Sequence, residues 1–450
     1  PLGERPELLA ITRPELLTSI HAAYIEAGSD IVYANTFGAS AKKLEGTGHT
    51  VEELVPAALE CARRAAEPAG ALVALDVGPL GELLEPAGTL RFEDAYEYFA
   101  QIMRACADKA DVIVLETMTD LYEVKAALLA AKENSRLPVM VSMTFEANGR
   151  SFTGCTVESF AATAVGLGAD AVGINCSLGP KEILPFAQRL CRVVPAGMPV
   201  FVKPNAGLPN LDGSYDITPA EFAAEMAAYL PTGISMLGGC CGSEPESIRL
   251  LKELTQDKTP AAKTPIVRSR LCTPVRCVEV NGITVVGERI NPTGKKRFQQ
   301  ALREEDMNYV LEQAVSQVEA GAQVLDVNVG APGVDEPALM PKVVKALQSV
   351  TSLPLQLDSS NVEALENGLR VYNGKPIVNS TNGEPEKLAA ILPLCKKYGA
   401  AIVGLAIDEK GIQPKAEDRV AIARRITEAA LAAGIPREDI YIDCLTLTAS

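Results

Sequence analysis

Cys240 and Cys241 stand side by side in LGGCCG just past an apolar run, and Cys176 closes an earlier run in GINCSLGP. Three thiols at the ends of strand-like runs make a candidate zinc set, because zinc favours soft thiolates and a catalytic site leaves its fourth position open. His21 and His49 are the only two histidines in the chain, so metal or thiol chemistry must rest on sulfur and carboxylates. Three thiolates around Zn²⁺ leave a net negative site, poor at making hydroxide but suited to holding another sulfur. A thiol bound there loses its proton near neutral pH and stays nucleophilic, which points to alkyl transfer to sulfur. The bland alternative is three buried small hydrophobes, cysteine's common role.

The other cysteines carry less. Cys61, Cys106, Cys191 and Cys395 lie in helical patterns and read as core, Cys155 lies in a loop, and Cys272 with Cys277 offers only a weak CxxxxC metal pattern. A second constellation is built of acids and amides after apolar runs: Glu288, Arg289 and Asn291 in GERINPTG, Asp326 and Asn328 in DVNVG, Asp358 in LDSS, Asn379 in VNST and Asp443 in YIDCL. Such groups match the donor and acceptor edges of a flat heterocycle. GAPG at residues 330–333 lacks a P-loop lysine and supports no nucleotide site.

These residues need a scaffold that brings strand ends together. β-Branched runs at residues 30–37, 71–78, 111–118, 138–145, 170–177, 199–207 and 234–242 alternate with alanine-rich amphipathic segments such as ESFAATAVGLGA and EFAAEMAAYL. Near-continuous apolar strands alternating with helices predict a parallel sheet covered on its outside. Only a helix, roughly residues 14–27, precedes the first run, so the expectation is a (β/α)8 TIM-type barrel whose first strand lies upstream of Pro1. A doubly wound open sheet is the alternative. Residues 252–274 read as a linker, and Asn281-Gly282 between alternating segments predicts a hairpin turn. Six further runs follow, at residues 284–291, 323–330, 353–360, 375–381, 400–408 and 440–446, predicting a second barrel that ends before its last strands. The expected division is residues 1–251, a linker and hairpin at 252–282, and a truncated barrel at 283–450.

The first of these regions resembles the homocysteine S-methyltransferases. GINCSLGP and LGGCCG look like that family's paired zinc-ligand signatures, and NTFGAS, LETMTD, SMTFEANGRSFTG and KPNAG look like its other strand-end segments. The resemblance implies Cys176, Cys240 and Cys241 as zinc ligands, homocysteine sulfur as an added ligand, and Glu116 near the substrate's amino group. Asn35 and Asn205 are implied as residues shaping that pocket. The family's first strand also ends in an Asp-Gly loop, expected upstream of this chain.

GERIN, DVNVG, LDSSN, VNST and the YID segment resemble the pterin-binding domain of cobalamin-dependent methionine synthases and corrinoid methyltransferases, and more distantly dihydropteroate synthase. This implies Asp358, Asn379 and Asp443 on the pterin ring, Asn328 supporting them and Asp326 orienting the loop. Cys444 stands where the family usually has proline, and a further family asparagine is expected beyond Ser450. Together the two resemblances imply methyl transfer from 5-methyltetrahydrofolate through cobalamin to zinc-activated homocysteine, giving methionine and tetrahydrofolate. No cobalt-ligating DxHxxG pattern occurs, so cobalamin is expected on a separate corrinoid-binding domain or protein. The competing expectations are a corrinoid-linked methyltransferase with another thiol acceptor, and a noncatalytic zinc-containing docking platform for a corrinoid protein.

Bulk properties agree with a two-barrel enzyme. At 450 residues the chain is too long for one ordinary core. With 42 basic against 57 acidic residues, a net charge of −15 disfavours nucleic acid as a partner. Eleven cysteines in a large apolar-rich chain suit the reducing cytoplasm; PLGERPELLA shows no signal-peptide pattern but lacks an initiating methionine and reads as a cut, and no apolar stretch within these residues reaches membrane length.

Overall fold

The computed structural model describes residues 5–106, 109–207, 210 and 215–446. The chain divides into two compact units, Pro1–Ile266 and Val267–Ser450. Among the described residues no helix is long and apolar enough to cross a membrane.

In the first unit all seven β-branched runs form strands: β1 (Ile31–Tyr33), β2 (Leu72–Val77), β3 (Val112–Met118), β4 (Val139–Met143), β5 (Ala171–Asn175), β6 (Val200–Lys203) and β7 (Met236–Leu237). They pair in sequence order, every pair parallel. Ala74, Val112, Val114, Met140, Ala171 and Phe201 form one buried cluster with Ile31, Tyr33 and Met236 packed on it. Those nine side chains come from all seven strands. They can meet only if the sheet curls upon itself, so the architecture is of barrel type and the open-sheet alternative falls.

Helices cover the outside. The helix Val51–Ala66 shows why the sequence folds this way: Thr50 and Glu53 form a reciprocal capping box, and Val51, Leu54, Val55, Ala58, Leu59 and Ala62 are buried at helical spacing. Arg63 and Arg64 fall in the last turn, where the helix dipole favours cations.

The second unit repeats the plan with β10 (Val286–Ile290), β11 (Val324–Val327), β12 (Leu355–Asp358), β13 (Ile377–Asn382), β14 (Ala401–Leu405) and β15 (Ile440–Asp443), again parallel and in order. Before it comes an antiparallel hairpin, β8 (Arg270–Cys272) and β9 (Cys277–Glu279). Its buried Leu271 packs with Val324, Ile377 and Ala401, residues at the starts of three strands, so the hairpin closes the end of the sheet opposite the candidate site.

The hairpin turn is displaced from the expected position. The chain reverses at Thr273–Arg276, where the Thr273 N–H donates to the Arg276 carbonyl and Pro274 takes the second position. Gly282 does adopt a positive φ of 82°, but there it leads the chain out of the hairpin, and Ile283 beside it is 93% exposed. Turn-forming residues mark a bend without saying which bend joins two strands. The expected linker is also shorter at its start, because the helix Pro245–Thr255 runs into it; residues 258–269 carry no regular structure.

Candidate functional site

The three thiols converge. Cys176 follows β5, Cys240 and Cys241 follow β7, and their sulfurs all lie within 4.8 Å of one another, with Cys176 and Cys241 at 3.9 Å. A tetrahedral zinc with bonds of about 2.3 Å requires sulfur separations of roughly 3.8 Å, so the donor set and its spacing fit such an ion.

Backbone geometry holds them there. The Cys176 N–H donates to the Lys203 carbonyl and the Cys240 N–H to the Pro204 carbonyl, pinning both loops to the end of β6. Cys176 and Ser177 both take φ of 63°, a left-handed conformation costly for residues with a Cβ and tolerated where the surroundings enforce it. Gly238 and Gly239 serve space rather than handedness, since a Cβ on Gly239 would lie 2.4 Å from the Ser243 side chain.

The sulfurs share protons unevenly. Cys241 is driven far below the usual thiol range because Cys176 and Cys240 donate to it and Tyr215 adds a further hydrogen bond. Cys176, donating to Cys240 and Cys241, is correspondingly raised. Gly242 has φ of 79°, and a Cβ there would strike the Tyr215 ring at 2.3 Å, so this glycine lets the phenol lie against Cys241.

A cavity of about 760 Å³ runs along the seam between the edge strands β1 and β7 and reaches Cys240; Tyr33, Asp76, Glu116, Lys203 and Met236 line it, among others. Glu116 sits where the β3–β4 register shifts, next to Thr117 with φ of 60°. Asn175 stabilises that irregularity: its Oδ1 accepts from the Thr117 N–H at 2.9 Å and from the Ser142 hydroxyl at 2.8 Å. Its Nδ2 donates to Thr117 Oγ1 at 2.9 Å and lies 3.7 Å from Cys240 Sγ. Glu116 is paired with the Lys203 ammonium, which also lies 3.8 Å above the Tyr33 ring. Burial raises the Glu116 pKa, and Lys203 opposes that rise. Lys203 is raised on balance: burial pulls it down, but Glu116, Tyr33 and Asp76 outweigh that and hold the ammonium charged.

The two remaining expected pocket residues are placed differently. Asn35 turns away, its Nδ2 donating to the Pro6 carbonyl at 2.7 Å, and it does not line the cavity. Asn205 is buried beside the thiol loops, its N–H on the Leu178 carbonyl and its Oδ1 without a partner. Asp76, Lys203, Asn175 and Tyr215 were missed by the sequence reading. A lysine closing the apolar run VFVK and an acid inside ALVALDV were the available signals.

In the second unit, β11, β12 and β13 bring four of the five expected residues together. Asn328 donates to Asp358 at 2.9 Å, and Gln356 and Asn379 donate to Asp326 at 2.6 and 3.4 Å. Asp358 and Asn379 are register partners on adjacent strands. Burial pushes Asp326 up to about 6, and its Oδ2 is buried without a partner. Burial likewise raises Asp358, with Asn328 opposing. Asp443, at the end of β15, is exposed and caps the Leu445 N–H at 2.7 Å. Glu288 is exposed as well, and Asn291 is buried and accepts from the Thr293 N–H. Cys61, Cys106, Cys191 and Cys395 are buried in helices, as the sequence suggests. Cys272 and Cys277 face each other across the hairpin and join no cluster of three ligands among the described residues.

The homocysteine S-methyltransferase family model matches residues 3–255, more than half the chain. The chain belongs to the homocysteine S-methyltransferase family. Residues 287–450 match the pterin-binding enzyme family. Methionine synthases of Mycobacterium leprae and Mycobacterium tuberculosis are 31% and 32% identical, each aligned over 98% of this chain and 39% of their own length. The chain thus spans about two fifths of these curated relatives. Among solved structures, the metallated homocysteine methyltransferase MmuM of Escherichia coli is 22% identical with a TM-score of 0.48, covering 56% of this chain and 90% of its own. The dihydropteroate synthase of Xanthomonas albilineans with 7,8-dihydropteroate is 22% identical with a TM-score of 0.28, covering 39% and 63%.

Proposed function

We propose that this chain carries the thiol-accepting and folate-binding barrels of a cobalamin-dependent methionine synthase. In this reading Cys176, Cys240 and Cys241 hold a zinc ion, and homocysteine supplies the fourth sulfur. Zinc there would lower the thiol pKa while leaving the sulfur nucleophilic, and cobalamin, bound by a separate corrinoid module, would carry the methyl group. Asn175 orders the strand end that presents Glu116, and Glu116 receives the substrate ammonium. The second unit binds 5-methyltetrahydrofolate, with Asp358 and Asn379 offering an acceptor and an amide to the pterin ring, Asn328 and Asp326 supporting them, and Asp443 at the rim.

The observation that carries the reading is the convergence of three sulfurs, from loops distant in sequence, within 4.8 Å of one another above a buried carboxylate. The test is zinc-edge X-ray absorption on the full-length protein. One zinc per chain with three sulfur neighbours, becoming four on adding homocysteine, is the expected result. Zinc whose shell ignores every thiol, in a protein that binds no methyltetrahydrofolate, would instead mark a noncatalytic platform.

A further inference from the structure

Two buried acids in the first cavity face one cation. Lys203 is bonded to Glu116, while Asp76 from β2 is equally buried, at 7% exposure each for the acids, and its Oδ1 has no hydrogen-bond partner. Asp76 and Lys203 line the same cavity; burial and then Glu116 raise the Asp76 pKa, Lys203 opposes that rise, and the Tyr33 ring lies under the ammonium as a third contact. A buried acid without a partner is costly unless something arrives to satisfy it. The group nearest at hand is the same lysine.

We propose that Lys203 stands in for the substrate's ammonium at Glu116 and passes to Asp76 when an α-amino thiol enters, which makes Lys203 and Asp76 the residues that set how strongly this site demands an amino group. The proposal rests on the thiol-acceptor reading above. The empty site keeps Glu116 paired internally. When homocysteine arrives, its ammonium takes the Glu116 carboxylate, Lys203 turns to the waiting Asp76 oxygen, and each cation faces one acid. Burial and the neighbouring Glu116 raise the Asp76 pKa well above the usual carboxylate range and an arriving ammonium lowers it, so a proton held there leaves to solvent as Lys203 docks; no other covalent bond is made or broken. A thiol without the amine leaves Lys203 where it was, so no buried charge is stranded. Sites that do strand a polar group reject the defective ligand far more strongly. This chain should therefore accept thiols lacking an α-ammonium better than a site with a bare glutamate would.

The test compares homocysteine with 4-mercaptobutanoate, its amine-free counterpart, by calorimetric titration of the zinc-loaded full-length protein. Lys203→Met should widen the preference for homocysteine at least tenfold, because only the substrate can then satisfy Glu116. Asp76→Asn should narrow it by a similar factor, since Lys203 loses its destination, and the loss should fall on homocysteine alone. The double variant Glu116→Gln/Lys203→Met, neutral at both positions, should bind the two thiols about equally. Zinc content and melting temperature of that variant show whether the barrel is intact. A preference that is unchanged in both single variants, or that shifts the same way in both, overturns the role of the lysine. Wild-type protein that binds neither thiol overturns the thiol-acceptor reading itself, and this proposal with it.

Discussion

The mouths of the two units are built on the same parallel-strand plan yet hold their buried acids in opposite ways. Above β5 and β7 of the first, three sulfurs gather over an acid already neutralised by a lysine. At the ends of β11, β12 and β13 of the second, the acids are held by amides, Asn328 on Asp358 and Gln356 on Asp326. A cation-neutralised acid beneath soft donors suits a metal and a charged amino acid. Acids held by neutral donors keep their acceptor capacity for the N–H edge of a ring. The scaffolds also share a device: each site sits at a break in strand register, between Leu115 and Met118 in one and between Asn379 and Thr381 in the other. Such irregularities re-aim side chains that a regular strand would send to alternate faces.

The sharpest way to break this comparison is to remove one sulfur. Cys240→Ser should cut bound zinc to below about a tenth of an equivalent and abolish thiol binding, while methyltetrahydrofolate affinity, read by fluorescence titration, stays unchanged. If folate binding fell too, the two sites would not be separable.

The reciprocal change is Asp358→Asn. Loss of a charged acceptor should weaken methyltetrahydrofolate about 10- to 100-fold, with zinc content and thiol binding intact.

A third change tests the clamp at the first site. Asn175→Ala leaves the strained Thr117 turn unsupported, and about 2–3 kcal/mol of stability should go with it, measured by denaturant unfolding, along with a several-fold loss of thiol affinity.

Titration of Asp326 offers a quieter contrast. Its folded pKa is raised to about 6, so the native state holds its proton more tightly than the unfolded chain does. Its contribution is most favourable below the unfolded value near 4, is lost as pH rises through about 6, and is flat above. That loss is on the order of 2–3 kcal/mol. Unfolding free energies of wild type and Asp326→Asn, measured from pH 4 to 8, should diverge across that window, with the pH-dependent loss confined to the wild type. The smallest effect belongs to Thr50→Ala, which removes a helix cap for about 1 kcal/mol and should touch neither site.

Much of this architecture is legible in the chain because burial on both faces forces a strand to be apolar along its length. Every such run from DIVYANTF to IYIDCLT became a strand, and the cysteines at their ends met. What escaped is decided across the curled sheet rather than along the chain. Nothing local in VFVK says that Lys203 reaches Glu116 on β3, or that Asp76 on β2 lies opposite it. Asn35 escaped for the same reason, since its tie to Pro6 depends on where the leading segment folds back. The hairpin turn was misplaced because Asn281-Gly282 and Thr273–Arg276 are both competent bends, and only the packing of Leu271 chooses between them.

The bare α-carbon at position 242 governs more than its own bend. With nothing projecting from it, the Tyr215 phenol can settle onto one sulfur of the trio and not the other two, adding to the difference that the hydrogen bonds among the sulfurs already create. A methyl group there would push the ring aside and leave Cys241 more basic. The basicity of one sulfur is thus tuned from a position that carries no side chain of its own.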